Sequence, residues 1–225
     1  MEFHFLSKHL HGDIIKLSKT MKIVIATQNP GKLVEIKALL ADLNFEISDS
    51  REAGYNKEII EDGKTFSENA LIKARTIAKA LNLVAIGDDS GICLDDLNGQ
   101  PGVYSSRWGG NNLNREKLAK FTLKKLEFIP GATRKASFIS VIALVDPTGK
   151  EEIFEGRVDG KISLKLCGQP RPQLAYDSIF IPDGYAKTFA EMTDEEKNQI
   201  SHRGIALKKF KEFIIKSYEN NKSGL

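Results

Sequence analysis

The sequence has few of the residues that mark disulfide-bonded, metal-binding or membrane proteins. It contains two cysteines, Cys93 and Cys167, and neither has a second Cys or His at the spacing of a zinc site. No apolar run approaches the roughly 18 residues that a transmembrane helix needs. These absences exclude a disulfide framework and favour a reducing compartment, so we expect the protein to be cytoplasmic.

An excess of either charge is also absent. Lys and Arg number 33 against 30 Asp and Glu, which gives a formal net charge of +3. Such a small excess indicates a nucleic-acid surface only when the basic residues cluster. The densest basic run, at 208–211, is interleaved with apolar residues as on the exposed face of an amphipathic helix. We therefore expect neither nucleic acid nor a membrane as a partner.

The first twenty residues differ from the rest of the chain. They hold three of the four histidines, at spacings that match no closed metal site, and they lack an apolar segment with a small-residue cleavage site. Met21 then opens a strand-like run. We interpret residues 1–20 as a poorly ordered N-terminal extension and residues 21–225 as one globular domain, a size that suits a single core.

Strand and helix signals alternate from Met21 onward. β-branched runs bounded by turn residues mark the strands, and apolar residues at helical spacing behind Ser/Thr caps mark the helices. The turn at 146–149 predicts a β-hairpin. Together these signals predict an α/β fold with a mixed central sheet. The predicted strands are 22–26, 83–86, 136–145 and 151–158, and the predicted helices carry Leu33 to Leu40, follow Thr65, span 113–126, follow Thr193 and follow Ser201.

The segment 27–32, Thr-Gln-Asn-Pro-Gly-Lys, joins the first predicted strand to the first predicted helix. A helix start presents unpaired N–H groups and a positive dipole end, which favour an anion. Lys32 is unfavourable there unless a negative group offsets it, and a phosphate would do so. An ordinary turn satisfied by Asn29 and Gly31 explains the same residues. The segment is not a Walker A loop, because Gly-x-x-x-x-Gly-Lys-Ser/Thr is absent from the chain.

Two adjacent aspartates, Asp88 and Asp89, follow the predicted strand 83–86. Carboxylates so close at a strand end repel each other in a low-dielectric crevice unless a cation intervenes, and Mg²⁺ prefers such oxygen ligands. A solvated turn at 87–91 is the alternative. Glu61 is a further candidate ligand, on the hypothesis that its segment meets this one.

A second predicted helix start carries two possible cations, His202 and Arg203, directly after Ser201. The dipole argument applied to Lys32 holds here too. A polyanionic ligand would account for both cationic helix starts, although a surface position would account for His202 alone.

Five blocks, in order from about Met21 to Phe210, resemble the bacterial type of the inosine triphosphate pyrophosphatase family, whose members act on non-standard purine nucleotides. The blocks are Thr27-x-Asn29-x-x-Lys32, Glu61-x-Gly63-x-Thr65-Phe66-x-Glu68-Asn69-Ala70, Asp88-Asp89-Ser90-Gly91, Pro101-Gly102-Val103-Tyr104-Ser105-Ser106-Arg107 and Ser201-His202-Arg203-Gly204-x-Ala206.

This resemblance implies a two-lobed α/β fold around a nucleotide-binding cleft, a homodimer, Mg²⁺ as cofactor, and hydrolysis of ITP, dITP and XTP to monophosphate and pyrophosphate. It implies that Asp89 is the general base and that Glu61, Asp88 and Asp89 hold or orient the metal. The implied substrate-binding residues are Thr27, Gln28, Asn29, Lys32, Ser90, Leu174, Tyr176, Asp177, Lys187, His202 and Arg203.

One segment departs from the family pattern. The family has Gly-Phe-Gly-Tyr-Asp-Pro where this chain has Gln173-Leu174-Ala175-Tyr176-Asp177-Ser178, so Leu174 replaces an aromatic ring that would stack on the purine. Two other functions are alternatives to the one that the family resemblance implies. One is a related pyrophosphatase family linked to septum formation, which lacks the Ser-His-Arg block, and the other is a non-catalytic nucleotide-binding or RNA-binding protein.

Overall fold

The computed structural model describes residues 21–27, 29–43, 45–110, 114–169 and 174–222, without the side chains of 218–222. The predicted extension at 1–20 and the predicted substrate-binding residue Gln28 lie outside these ranges, so both stay predictions. None of the helices within the described ranges combines the length and apolarity needed to cross a bilayer.

A six-stranded mixed sheet forms the centre of the molecule, in the order β2-β1-β3-β4-β5-β6. The pairs β2-β1 and β1-β3 are parallel, whereas β3, β4, β5 and β6 pair in antiparallel fashion. The sheet confirms the predicted α/β class. The strands are β1 (Met21–Ala26), β2 (Phe45–Asp49), β3 (Val84–Leu94), β4 (Lys135–Val145), β5 (Glu151–Ile162) and β6 (Phe180–Pro182).

Five α-helices pack around this sheet within the described ranges, and each predicted helix is among them. The helices are α1 (Pro30–Leu39), α2 (Phe66–Leu81), α3 (Arg115–Glu127), α4 (Asp194–Ile200) and α5 (His202–Lys222). The predicted capping box at Thr65 is present, and the Ser201 hydroxyl accepts a hydrogen bond from the Gly204 N–H at 3.0 Å. These caps satisfy N–H groups that the first turns of α2 and α5 would otherwise leave unpaired.

Alternation along the strands sends apolar side chains to both faces of the sheet. Val24 and Val141 pack against α2 on one face, while Ile23 and Ile142 pack with α1 and α5 on the other. A third cluster surrounds Phe138, where β3 and β4 extend beyond the parallel strands and meet α3. The chain thus builds two lobes, with a cleft between the end of β1 and the extended part of β3.

The alternative of a solvated turn at 87–91 is wrong, because β3 runs straight through these residues to Leu94 instead of ending at the predicted residue 86. Strand β4 pairs with β3 over this whole stretch and supplies its backbone hydrogen-bond partners. The glycines serve close packing instead of a turn: a Cβ on Gly87 would lie 2.0 Å from the Ala70 carbonyl oxygen of α2. Strand β5 likewise runs past the predicted end at 158 to Ile162, and β2 and β6 had no predicted counterparts.

Candidate active site

The cleft lies where β1 ends and no longer pairs with β3. The pairing of β1 with β3 ends at Ala26 and Gly87, and β3 gains its next partner on that side only near its end, where Cys93 forms a bridge with Pro101. A cavity of about 440 Å³, the wide cavity, occupies this position. Its lining includes the predicted site residues Thr27, Asn29, Lys32, Glu61, Asp89 and Ser90.

Asp88 and Asp89 lie on opposite faces of β3, because successive side chains of a strand alternate. The predicted repulsion between the two carboxylates is therefore reduced, because the pleat separates them and each one contacts its own cationic side chains. On the α5 face, an Asp88 carboxylate oxygen lies 2.8 Å from the Lys32 Nζ. The Arg203 Nε donates to the other oxygen at 3.3 Å. Asp88 therefore supplies the negative charge that both cationic helix starts were predicted to need.

A buried charge network continues from Asp88 toward α4. Arg203 donates to Asp88, to Glu35 and, at 2.9 Å, to the Ser90 hydroxyl. The Lys197 ammonium lies 2.5 Å from carboxylate oxygens of both Glu35 and Asp177. Burial would raise the pKa of the Asp88 carboxyl, but Arg203 and Lys32 outweigh it and hold that pKa far below its ordinary value. These contacts favour the ionised form of Asp88, whose side chain has no exposed surface.

On the α2 face, Lys73 joins Asp89 to Glu61. Its Nζ lies 3.0 Å from an Asp89 oxygen and 2.7 Å from a Glu61 oxygen. The Asn69 amide donates to the second Asp89 oxygen at 3.3 Å and accepts from the Gly63 N–H at 2.9 Å. The hypothesis that the Glu61 segment meets β3 is confirmed, with Lys73 as the connection.

The environment of Asp89 suits a general base. Burial raises the pKa of its carboxyl above the ordinary value, and Lys73 limits that rise. Burial lowers the pKa of Lys73, but the Asp89 and Glu61 carboxylates outweigh it and hold that pKa above its ordinary value. The charged Lys73 therefore favours the ionised form of Asp89, while a raised carboxyl pKa makes it a stronger proton acceptor.

A narrower recess, of about 70 Å³, adjoins the wide cavity and shares Asn29, Lys32 and Ser90 with it. The His202 ring forms part of its wall and stacks on Phe138, with centroids 4.4 Å apart and planes within 5°. The recess also takes in Leu174, Tyr176, Asp177 and Arg203. Its volume is smaller than a purine ring system, so with the side chains as they stand only the edge of a base would enter.

His202 is buried, not a surface residue. Burial lowers the pKa of its imidazole well below the ordinary value, and the neighbouring Arg203 and Lys197 lower it further, so the ring is neutral. Its Nδ1 is buried and has no hydrogen-bond partner among the described residues. An unpartnered buried polar atom in a recess is unfavourable unless a ligand or water pairs with it.

Among the residues that the structure describes, Lys187 is the predicted substrate-binding residue that lies at neither cavity. Its side chain is exposed, and its Nζ lies 3.9 Å from Glu196. Tyr176 lies in the recess wall, where its hydroxyl donates to the Ser105 carbonyl at 2.7 Å. Asp88 lines neither cavity but contacts Lys32 and Arg203, which do.

Sequence reasoning missed Lys73, Glu35 and Lys197 as site residues. A signal for Lys73 exists, because it lies on the stripe of α2 that carries Ala70 and Ile77 toward the sheet. A lysine inside an apolar helical stripe requires a buried anionic partner. Glu35 and Lys197 have no comparable local signal, since their pairing joins distant parts of the chain.

The acidic residues of the wide cavity fit a magnesium ion that shares its coordination with a substrate. Within the described ranges, no group of three or more His, Cys, Asp and Glu side chains forms a complete metal site. Glu61 and Asp89 both line the wide cavity, and Mg²⁺ is commonly held by one or two carboxylates together with substrate phosphates.

Comparison with known proteins adds an independent line of evidence. Residues 23–213 match the model of the Ham1 family. A dITP/XTP pyrophosphatase of Thermoanaerobacter sp. is 44% identical over 201 residues, covering 88% of this chain and 99% of that protein. The dITP/XTP pyrophosphatase of Bacillus subtilis is 40% identical over 191 residues, covering 85% and 96%.

Solved structures give the same result. A HAM1 protein from Coxiella burnetii superposes with a TM-score of 0.80 at 38% identity, covering 88% of this chain and 100% of that one. The Ham1 protein of Staphylococcus aureus superposes with a TM-score of 0.77 at 36% identity, covering 87% and 99%.

Proposed function

This chain belongs to the Ham1 family, and we propose that it hydrolyses non-standard purine nucleoside triphosphates, such as ITP, dITP and XTP, to the monophosphate and pyrophosphate. One observation carries the proposal: the Lys32–Asp88 pair and the Lys73–Asp89–Glu61 cluster flank one strand at the mouth of a single cleft. The names of the relatives, dITP/XTP pyrophosphatase, support it.

In the proposed reaction, one water molecule attacks the α-phosphorus of the nucleotide. The bond from that phosphorus to the bridging oxygen breaks, and its electron pair leaves with pyrophosphate. Asp89 accepts a proton from the water, since its carboxyl group lines the wide cavity and burial raises its pKa. Lys32 and Lys73 line the same cavity and would offset phosphate charge, so the chain contributes chiefly positioning and electrostatics.

We further propose that Glu61 and Asp89 hold Mg²⁺, with Asp88 orienting the site through Lys32. When bound, Mg²⁺ would supply Lewis-acid stabilisation of the charge on the departing pyrophosphate. The carboxylate pair supports this proposal because both groups line the wide cavity and Lys73 holds them close together.

Purine selection would take place in the recess. The buried Nδ1 of neutral His202 has no partner among the described residues and would be satisfied by the edge of a base, beside the Arg203–Ser90 pair. A 6-oxo purine offers an acceptor where adenine offers an amino donor, and a site built for one is left with unpaired buried groups by the other.

The substrate profile tests this proposal directly. With Mg²⁺ present, ITP, dITP and XTP should each release pyrophosphate faster than ATP by about 100-fold or more, because mispaired buried polar groups are strongly penalised. Chromatography should show monophosphate and pyrophosphate as the products. Equal rates on ITP, XTP, ATP and GTP would refute the specificity, and binding without any release would indicate a nucleotide-binding protein instead.

Leu174 gives a second test of the recess. Replacing Leu174 with phenylalanine restores a ring at the position where the family stacks on the purine, so KM for ITP should fall by about 5-fold or more. Leu164 is an exposed leucine that lines neither cavity, so Leu164→Phe is the matched control. An unchanged KM in Leu174→Phe would mean that another side chain already covers the base.

Replacing Lys73 should change the pH dependence of the hydrolysis rate. Activity requires ionised Asp89, so the rate falls as pH drops through the Asp89 pKa, which burial raises and Lys73 lowers. Lys73→Met removes the lowering influence, so the acid limb of the pH–rate profile should move to higher pH and kcat at pH 7 should fall by at least about tenfold. Lys79→Met, on the exposed face of α2, should leave the profile in place. An acid limb at the wild-type pH in Lys73→Met would contradict the proposed role of Asp89.

Two further properties follow from the family resemblance and are proposals here. We propose that the protein is a homodimer, which multi-angle light scattering would test, and that it acts in the cytoplasm, where the nucleotide pool lies.

A further inference from the structure

The cations at the centre of the wide cavity are already paired within the protein. Lys32 lies against Asp88, and Lys73 lies against both Asp89 and Glu61. A nucleoside triphosphate remains anionic even with one Mg²⁺ bound, and it must compete with these carboxylates for the two lysines. Full charge compensation therefore calls for a further cation on the cavity wall.

Arg107 is such a cation. It lines the wide cavity from the segment that follows β3, its side chain is exposed, and no carboxylate of the described residues pairs with it. Its guanidinium carbon lies 4.9 Å from the ring centroid of Tyr104. A guanidinium that stacks on a ring keeps its N–H groups available for hydrogen bonds. Two of these groups can donate in parallel to the oxygens of one phosphate.

We propose that Arg107 binds the β- and γ-phosphates, the part of the substrate that leaves as pyrophosphate, and so selects triphosphates over monophosphates. Tyr104 holds the guanidinium at the cavity wall before substrate arrives. The assignment rests on the proposed function, in which pyrophosphate is the leaving group. Arg107 then offsets the charge that the bridging oxygen gains as its bond to the α-phosphorus breaks.

Pyrophosphate and IMP separate the two halves of the substrate. Affinities of the wild type, Arg107→Met and Arg107→Lys for each compound are measured by isothermal titration calorimetry with Mg²⁺. Arg107→Met should weaken pyrophosphate binding by about 10- to 100-fold, the loss expected for one or two charge-assisted hydrogen bonds. The affinity of Arg107→Met for IMP should stay within about twofold of wild type. Arg107→Lys keeps the charge but not the forked guanidinium, so its affinity for pyrophosphate should lie between those of wild type and Arg107→Met.

Arg75→Met is the matched control, because Arg75 is an exposed arginine that lines neither cavity. It should leave both affinities unchanged. Unchanged pyrophosphate affinity in Arg107→Met, or an equal loss for IMP, would overturn the assignment. Titration requires no turnover, so a failure of ITP hydrolysis in the wild type would refute the proposed function separately. The thermal midpoint of each variant should match that of wild type, since Arg107 is exposed.

Discussion

Replacing Asp89 with asparagine should lower kcat for ITP by about 10²- to 10⁴-fold, the usual contribution of a general base. Asparagine keeps the size and the hydrogen-bonding shape of the side chain, but it cannot accept the proton of the attacking water. The Lys73 contact becomes a hydrogen bond to an amide, so the cluster stays assembled. Single-turnover kinetics with saturating Mg²⁺ would measure the chemical step.

Nucleotide binding should survive in Asp89→Asn, because the base recess and Lys32 are untouched. The dissociation constant for ITP should stay within about tenfold of wild type, since only one charged partner of the phosphate region is lost. Asp62→Asn is the matched control: Asp62 is exposed, lines neither cavity and neighbours Glu61 in sequence. Wild-type kcat in Asp89→Asn would remove Asp89 from the mechanism.

Replacing Arg203 with methionine should produce the largest loss of stability. Arg203 is almost fully buried and pairs with Asp88 and Glu35 at once. Its removal leaves two buried carboxylates short of a counter-charge, which costs about 3–5 kcal/mol in the free energy of unfolding. Urea denaturation followed by circular dichroism would measure this loss. Arg75→Met, which breaks the exposed pair with Glu151, should cost less than about 1 kcal/mol.

The loss in Arg203→Met should depend on pH in a defined direction. In the wild type, Arg203 helps to depress the pKa values of the Asp88 and Glu35 carboxyls, and this stabilisation is lost as pH falls through those depressed values. In the variant, protonation relieves the uncompensated carboxylates. The difference in unfolding free energy should therefore be greatest near pH 7 and shrink toward about pH 4. A difference independent of pH would mean that Arg203 stabilises the fold by packing alone.

Local patterns were enough to predict the framework of the site. The cap at Thr65 and the apolar stripe of α2 placed that helix correctly, and the strand-to-helix junction at Asn29 placed Lys32 beside the sheet. The structure adds that Lys32 lies 2.8 Å from Asp88, so the start of α1 and the carboxylates of β3 meet at one cleft. These features depend on residues that are close together in the chain, so one sequence is enough to identify them.

Features that depend on tertiary packing were not predictable in the same way. A turn at Gly87 stays open as an alternative in the sequence, because the closeness of Gly87 to Ala70 exists only after α2 packs on β3. The sequence also leaves a surface position open for His202, because the ring on which it stacks, Phe138, belongs to a strand far away in the chain. The Glu35–Lys197 pair likewise joins α1 to α4, and neither residue carries a local sign of burial.

A crystal structure of the Asp89→Asn variant with ITP and Mg²⁺ would test most directly whether the two charge clusters act on one triphosphate. The phosphates should lie in the wide cavity within hydrogen-bond reach of Lys32 and Lys73, and the edge of the hypoxanthine should lie in the recess beside His202. A triphosphate bound outside the wide cavity, or a nucleotide bound in the reverse orientation, would contradict the proposed active site.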